Sequence, residues 1–142
     1  MAELKTKITK ASVSQFIAAV DNEEKRKDSK TLLKLFTDVT KQKAALWGNN
    51  VVGFGVFNYK SERSTQAGEW FMTGFSPRKQ DITVYIIPGV KNYPGHLKNL
   101  GKFKASAGSC LYIKRLSDIN TDVLKKLISE SYADMRVKYN QV

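Results

Sequence analysis

The chain predicts an α+β domain: an antiparallel sheet of about four to five strands, with N-terminal and C-terminal helices packed mainly on one face. Three observations carry this. Leu32, Leu35, Phe36 and Val39 recur at helical spacing and form one apolar stripe. Residues 82–87 alternate Ile82, Val84, Ile86 against Thr83, Tyr85, Ile87, the period of a strand. Several β-rich segments follow one another through short turns and are flanked by helical segments, an order that favours an antiparallel sheet with helices gathered on one face.

The elements follow in order. Residues 1–11 are polar and lysine-rich and are expected to be a flexible N-terminal segment. Ser12-Val13-Ser14-Gln15 reads as a capping box, so a short helix runs through Phe16, Ile17 and Val20. Asp21 to Lys27 reads as a charged connection, and a second helix is expected from about Ser29 to Lys43. Trp47-Gly48-Asn49-Asn50 breaks it. Val51 to Tyr59 is β-rich, and its glycines Gly53 and Gly55 suggest a bulge or a close backbone neighbour. A polar loop is expected over Lys60–Gly68, then a strand over Glu69–Phe75. Ser76-Pro77-Arg78-Lys79 suits a type I turn. Beyond the strand at 82–87, His96–Leu100 reads as a helical turn ending at Gly101. Cys110-Leu111-Tyr112-Ile113 reads as a short central strand. Asn120 can cap a helix from Thr121 to about Tyr132, which a last segment, Ala133–Tyr139, extends.

At 142 residues the chain suits a single domain, over residues 12–142. A chain of this length buries roughly 70% of its unfolded surface and needs no disulfide or structural metal to build a core. Its one cysteine, Cys110, has no internal partner, residues 1–5 lack an apolar signal core, and no apolar run approaches a bilayer span. A cytoplasmic location without a membrane partner is expected. The outlying quantity is charge: 24 Lys and Arg against 13 Asp and Glu, a net +11. Between Trp70 and Ser117 eight bases face a single acid, Asp81. Such an excess attracts nucleic acid, anionic lipid, phosphorylated ligands or acidic proteins; the alternative is a solvated lysine-rich surface.

Trp47-Gly48, Gly53-Phe54-Gly55, Gly74-Phe75-Ser76-Pro77-Arg78-Lys79, Leu100-Gly101-Lys102, Cys110-Leu111-Tyr112-Ile113-Lys114 and Ser117-Asp118-Ile119 together resemble the motifs of the YdhG-like family of small bacterial domains of unknown function. The resemblance covers about residues 12–132. It implies an α+β fold with an antiparallel sheet and no settled activity, although some relatives carry a frataxin-like iron-chaperone label. The chain departs from the family at Phe57-Asn58, where Tyr-His is usual, and in a segment Lys104–Cys110 that is one residue longer.

No pattern points to an enzyme. His96 and Cys110 are the single residues of their types, and a Cys–His dyad requires both within hydrogen-bond reach and an activated thiol; Cys110 in an apolar strand reads as a core cysteine. No P-loop, nucleophile elbow or dinucleotide glycine pattern is present, and no cofactor is expected. Zinc requires clustered Cys and His, and the densest acids, Glu23, Glu24 and Asp28, are interleaved with Lys25, Arg26 and Lys27, so no metal ligands are assigned. The sharper expectation is an anion site. Arg78 and Lys79 follow a proline turn, Lys102 follows Gly101, Lys104 lies close by, and Ser76 and Ser109 are candidate donors. The alternative is that Arg78 and Lys79 decorate a tight turn while Lys102 and Lys104 are solvated. Trp47 and Tyr59 are the candidate aromatic platform; the alternative for Trp47 is a plug between sheet and helices. The sequence therefore favours a non-enzymatic binding domain holding a small phosphate- or carboxylate-bearing ligand, or an acidic partner, on a basic face. An iron chaperone is the alternative. Non-specific, salt-sensitive nucleic-acid binding, with stacking by aromatics such as Tyr59, Trp70, Tyr85 or Tyr112, is the second alternative.

Overall fold

The computed structural model describes residues 12–48, 50–60, 67–106 and 108–138, with the backbone alone at 57–60 and 67–69; the segment expected to be flexible, 1–11, lies outside them. Helix α1, Val13–Ala18, begins on Ser12, whose hydroxyl accepts the Gln15 N–H at 3.2 Å. Helix α2 spans Glu23–Thr40, so it starts at Glu23 where Ser29 was expected and stops short of Lys43. The charged run belongs to the helix because Asn22 caps it, accepting the Lys25 N–H at 2.8 Å, and Glu23 and Glu24 sit in the first turn where the helix dipole favours negative charge. Lys41 ends it in a left-handed conformation, φ 57°.

Eight strands follow among the described residues, six of them in the sheet for which four to five were expected. They are β1 Ala44–Trp47, β2 Val51–Phe54, β3 Phe57–Lys60, β4 Ala67–Trp70, β5 Thr73–Pro77, β6 Ile82–Tyr85, β7 Lys104–Ala105 and β8 Cys110–Ile113. Six form one antiparallel sheet in the order β1-β2-β5-β6-β8-β7, and β3 and β4 pair as a separate two-stranded arm. Three local causes raise the number. The residues before Trp47 extend into an edge strand and do not continue the helix. The stretch 51–59 breaks at Gly55, whose φ of +73° no strand residue adopts, and the partner chain breaks opposite it, at Phe71–Met72. The polar loop is correspondingly shorter than Lys60–Gly68, since both of those residues are paired in the arm. The turn is also displaced: Ser76 and Pro77 are still in β5, paired with Thr83 and Ile82, and the chain reverses over Arg78–Asp81, closed by the Arg78 N–H on the Asp81 carbonyl at 2.8 Å.

Helix α3 spans Pro94–Leu100 and α4 spans Thr121–Lys138, the latter capped by Asn120 Oδ1, which accepts the Asp122 and Val123 N–H groups at 3.0 and 3.2 Å. Register sorts the sheet into two faces. Leu46, Val52, Phe54, Phe75, Ile82, Val84, Leu111 and Ile113 share the side that packs on Ile17, Leu32, Phe36, Leu100, Leu124, Leu127 and Ile128 of the helices. Phe36 sits at its centre, its ring 5.2 Å from Phe54 and 5.4 Å from Phe75. The opposite face carries Trp47, Gly53, Gly74, Ser76, Thr83, Tyr85, Cys110, Tyr112 and Lys104.

A candidate ligand-binding groove on the open face

The face turned away from the helices has two ends, and side chains of the strands themselves cover them. At the β1–β2 end Trp47 lies over Gly53 and packs edge-on against Phe71, with Trp70 beside both, at ring separations of 5.7 and 6.1 Å. A Cβ on Gly53 would stand 2.6 Å from Trp47 Cδ1 and 2.7 Å from Phe71 Cβ, so the glycine is required for this packing. Trp47 is 1% exposed. It is therefore not a ligand platform, and the face it seals is the one away from the helices, which corrects its expected place as a plug between sheet and helices. Tyr59 lies on β3, where side chains fall outside the described residues.

The β5–β6–β8 end is different. Pairing places Ser76, Thr83, Tyr112 and Lys104 in one row across four strands. Arg78 extends from β5 on one side of that row and Tyr85 stands on the other. The Arg78 Nη2 donates to Tyr85 Oη at 3.1 Å, so the pair bridges the row. Beneath the bridge Ser76 and Thr83 are buried, and the Thr83 hydroxyl has no hydrogen-bond partner. Tyr85 also meets Phe71 edge-on at 5.1 Å, which ties the bridge to the aromatic end. From the helix side, Lys25 of α2 donates its ammonium to the Arg78 carbonyl and, at 2.9 Å, to the Lys79 carbonyl, fixing the turn from behind.

An open groove of about 570 Å³ runs along this turn, lined by Asn50, Pro77, Arg78, Lys79, Gln80, Asp81 and Tyr112. The Tyr85 hydroxyl and the Asp81 charge both favour the cationic guanidinium and raise the Arg78 pKa, the hydroxyl most. The Tyr112 phenol is also held above its ordinary value, first by the neighbouring Cys110 and to a smaller degree by Asp81.

The residues expected at the site are thus partly gathered. Arg78 and Lys79 line the groove, and Lys104 is the cross-strand neighbour of Tyr112. Lys102 does not line it; its N–H is bound to the Asp118 carbonyl at 3.0 Å in the loop after Gly101. Ser76 and Ser109 offer no free hydroxyl proton, because they donate to the carbonyls of Asn50 at 2.6 Å and of Ile87 at 3.2 Å. Asn50, Asp81 and the tethering Lys25 have no local signature in the sequence. Tyr85 and Tyr112 show one only as strand aromatics.

His96 and Cys110 do not form a dyad. His96 Nε2 lies 2.5 Å from Glu130 Oε2 at the α3–α4 contact, whereas Cys110 shares the open face with Tyr85 and Tyr112. No group of three His, Cys, Asp or Glu able to hold a metal ion occurs among the described residues. Glu23 instead reaches Lys27 at 3.8 Å, and Asp28 accepts the Leu116 N–H at 3.0 Å. No helix of the described residues is long and apolar enough to cross a membrane. No family model, curated protein or solved structure matches the chain.

Proposed function

We propose that the chain is a non-enzymatic, cytoplasmic binding domain that holds a small phosphate- or carboxylate-bearing ligand in the groove beside the β5–β6 turn. The observation that carries this reading is the presentation of Arg78. Its guanidinium has five N–H donors, and its one protein partner among the described residues is the Tyr85 hydroxyl. An arginine steadied at one donor and open at the others is pre-organised for a forked contact with an anion. Lys79 in the same lining and Lys104 in the adjoining row add positive potential. Two of the motifs that resemble the YdhG-like family, Gly74–Lys79 and Cys110–Lys114, fall on the strands that frame the groove, which agrees with a site there.

Ligand-induced thermal shifts with a panel of phosphorylated and carboxylated metabolites test the reading. Arg78→Ala is expected to weaken the binding of any hit roughly 10- to 100-fold, the range of charge-assisted hydrogen bonds, while the free variant still unfolds in one cooperative transition. Equal affinity in Arg78→Ala rules the site out.

A further inference from the structure

The groove holds charges of both signs and leaves them apart. Arg78 and Asp81 bracket the four-residue turn and line the same groove, yet no ion pair within 4.0 Å joins them. Tyr85 draws the guanidinium over the face of β6, and besides the backbone bond that closes the turn Asp81 acts on Arg78 only at a distance, through its charge. A carboxylate in an anion site weakens the binding of a bare anion by repulsion. Its presence is accounted for if the ligand carries hydrogen-bond donors as well as negative charge. The remaining lining has the same character: the amides of Asn50 and Gln80 both donate and accept, and the half-exposed Tyr112 adds an aromatic ring. A volume of about 570 Å³ exceeds what a lone phosphate or carboxylate fills and lies within the roughly 300–1,000 Å³ of small-molecule sites.

We infer that the ligand of this groove is a nucleoside monophosphate, with its phosphate on Arg78 and Lys79, its base stacked on Tyr112 and N–H donors of the base directed to Asp81. The inference rests on the anion-binding reading above and narrows it to one ligand class. A base has the π face that stacks on a tyrosine. Guanine in particular places two adjacent N–H donors on one edge, the complement of a carboxylate's two oxygens.

Isothermal titration of the full chain with guanosine monophosphate, guanosine, ribose phosphate and inorganic phosphate separates the two levels. Guanosine monophosphate is expected to bind at least ten-fold more tightly than ribose phosphate. Asp81→Asn decides the sign. A carboxylate that only repels the phosphate predicts tighter binding of both esters once its charge is removed. A carboxylate that accepts from the base predicts about ten-fold weaker binding of guanosine monophosphate, with ribose phosphate unchanged or strengthened. Tyr112→Ala should likewise remove the advantage of the nucleotide, and Tyr112→Phe, which keeps the ring, should retain it. Both positions are half-exposed, and unchanged melting curves confirm that the variants fold. Equal affinity for the two esters, or an Asp81→Asn variant that binds guanosine monophosphate more tightly, overturns the nucleotide assignment while Arg78-dependent phosphate binding persists. Absence of binding by both esters and by inorganic phosphate overturns the nucleotide assignment and the phosphate arm of the anion site, whose carboxylate arm the metabolite panel decides.

Discussion

The two faces of the sheet are built from the same strands and closed by different means. On the helical side, two long helices supply Leu32, Phe36, Leu124, Leu127 and Ile128, and the sheet answers with aliphatic and phenylalanine side chains that are almost wholly buried. On the other side the strands and their connections supply most of the cover, and α4 meets it only at the margin, where Tyr132 and Met135 pack with Met72 and Trp70. Trp47, Trp70 and Phe71 fold over paired glycines at one end, and an arginine–tyrosine bridge covers buried hydroxyls at the other. The first arrangement excludes water by mass of apolar surface. The second does so with a few large side chains and leaves polar groups at its rim, where a ligand can reach them.

The largest effect should come from the helical side. Phe36→Ala removes a fully buried ring stacked on Phe54 and tilted against Phe75 and should cost about 4 kcal/mol in urea unfolding. A loss below about 1 kcal/mol would mean that this face is not the main core. Gly53→Val sharpens the contrast from the open side. Its Cβ meets Trp47 and Phe71 closer than any real contact, so the variant should lose about 2–3 kcal/mol by overpacking, read by the same unfolding curves and by a change in tryptophan emission. Thr83→Val acts in the opposite direction. The Thr83 hydroxyl is buried without a partner, and its replacement by a methyl group should stabilise the domain by about 1 kcal/mol. A destabilised variant would show that the hydroxyl is bonded in solution.

The smallest effect concerns the rim of the helical side. Tyr93 donates its hydroxyl to Asp134 Oδ2 at 2.6 Å, and burial first, then this bond, raises its pKa above the ordinary 10.0. The folded chain therefore holds the proton more tightly than the unfolded one. The resulting stability is fully present below about pH 10 and is lost as the pH rises through the folded value. Tyr93→Phe should cost roughly 1 kcal/mol at neutral pH. The gap between the two proteins should narrow in melts carried to alkaline pH; a gap that widens would contradict the assignment.

Much of the fold was legible because it depends on local spacing. The Leu32–Val39 stripe, the alternation at 82–87 and the Asn120 cap all correspond to observed elements. Boundaries shifted where neighbouring charges or a single backbone angle decide them, as at Asn22–Glu24 and Gly55. Of the anion-site residues expected from the sequence, only Arg78 and Lys79 line the candidate groove, with Lys104 one strand away beside Tyr112. Ser76 reads as a turn donor from its place before Pro77, yet it lies inside β5 and its proton goes to Asn50. Trp47 reads as a boundary residue because nothing nearby shows that Gly53, on the next strand, leaves room for its indole.

The sequence by itself determined the class of the domain, the apolar faces of α2 and α4, the clearest strand and the basic balance, since each follows from periodicity or composition. Only the tertiary structure decided which residues meet. Strand order β5-β6-β8-β7 and its register bring Arg78, Thr83, Tyr112 and Lys104 to one face, and a slip of one residue in any pairing would turn that strand's side chains to the other side. Local spacing specifies which side chains of a strand point together. It carries no information about which strand lies alongside, because that choice is made by the packing of the whole sheet on its helices.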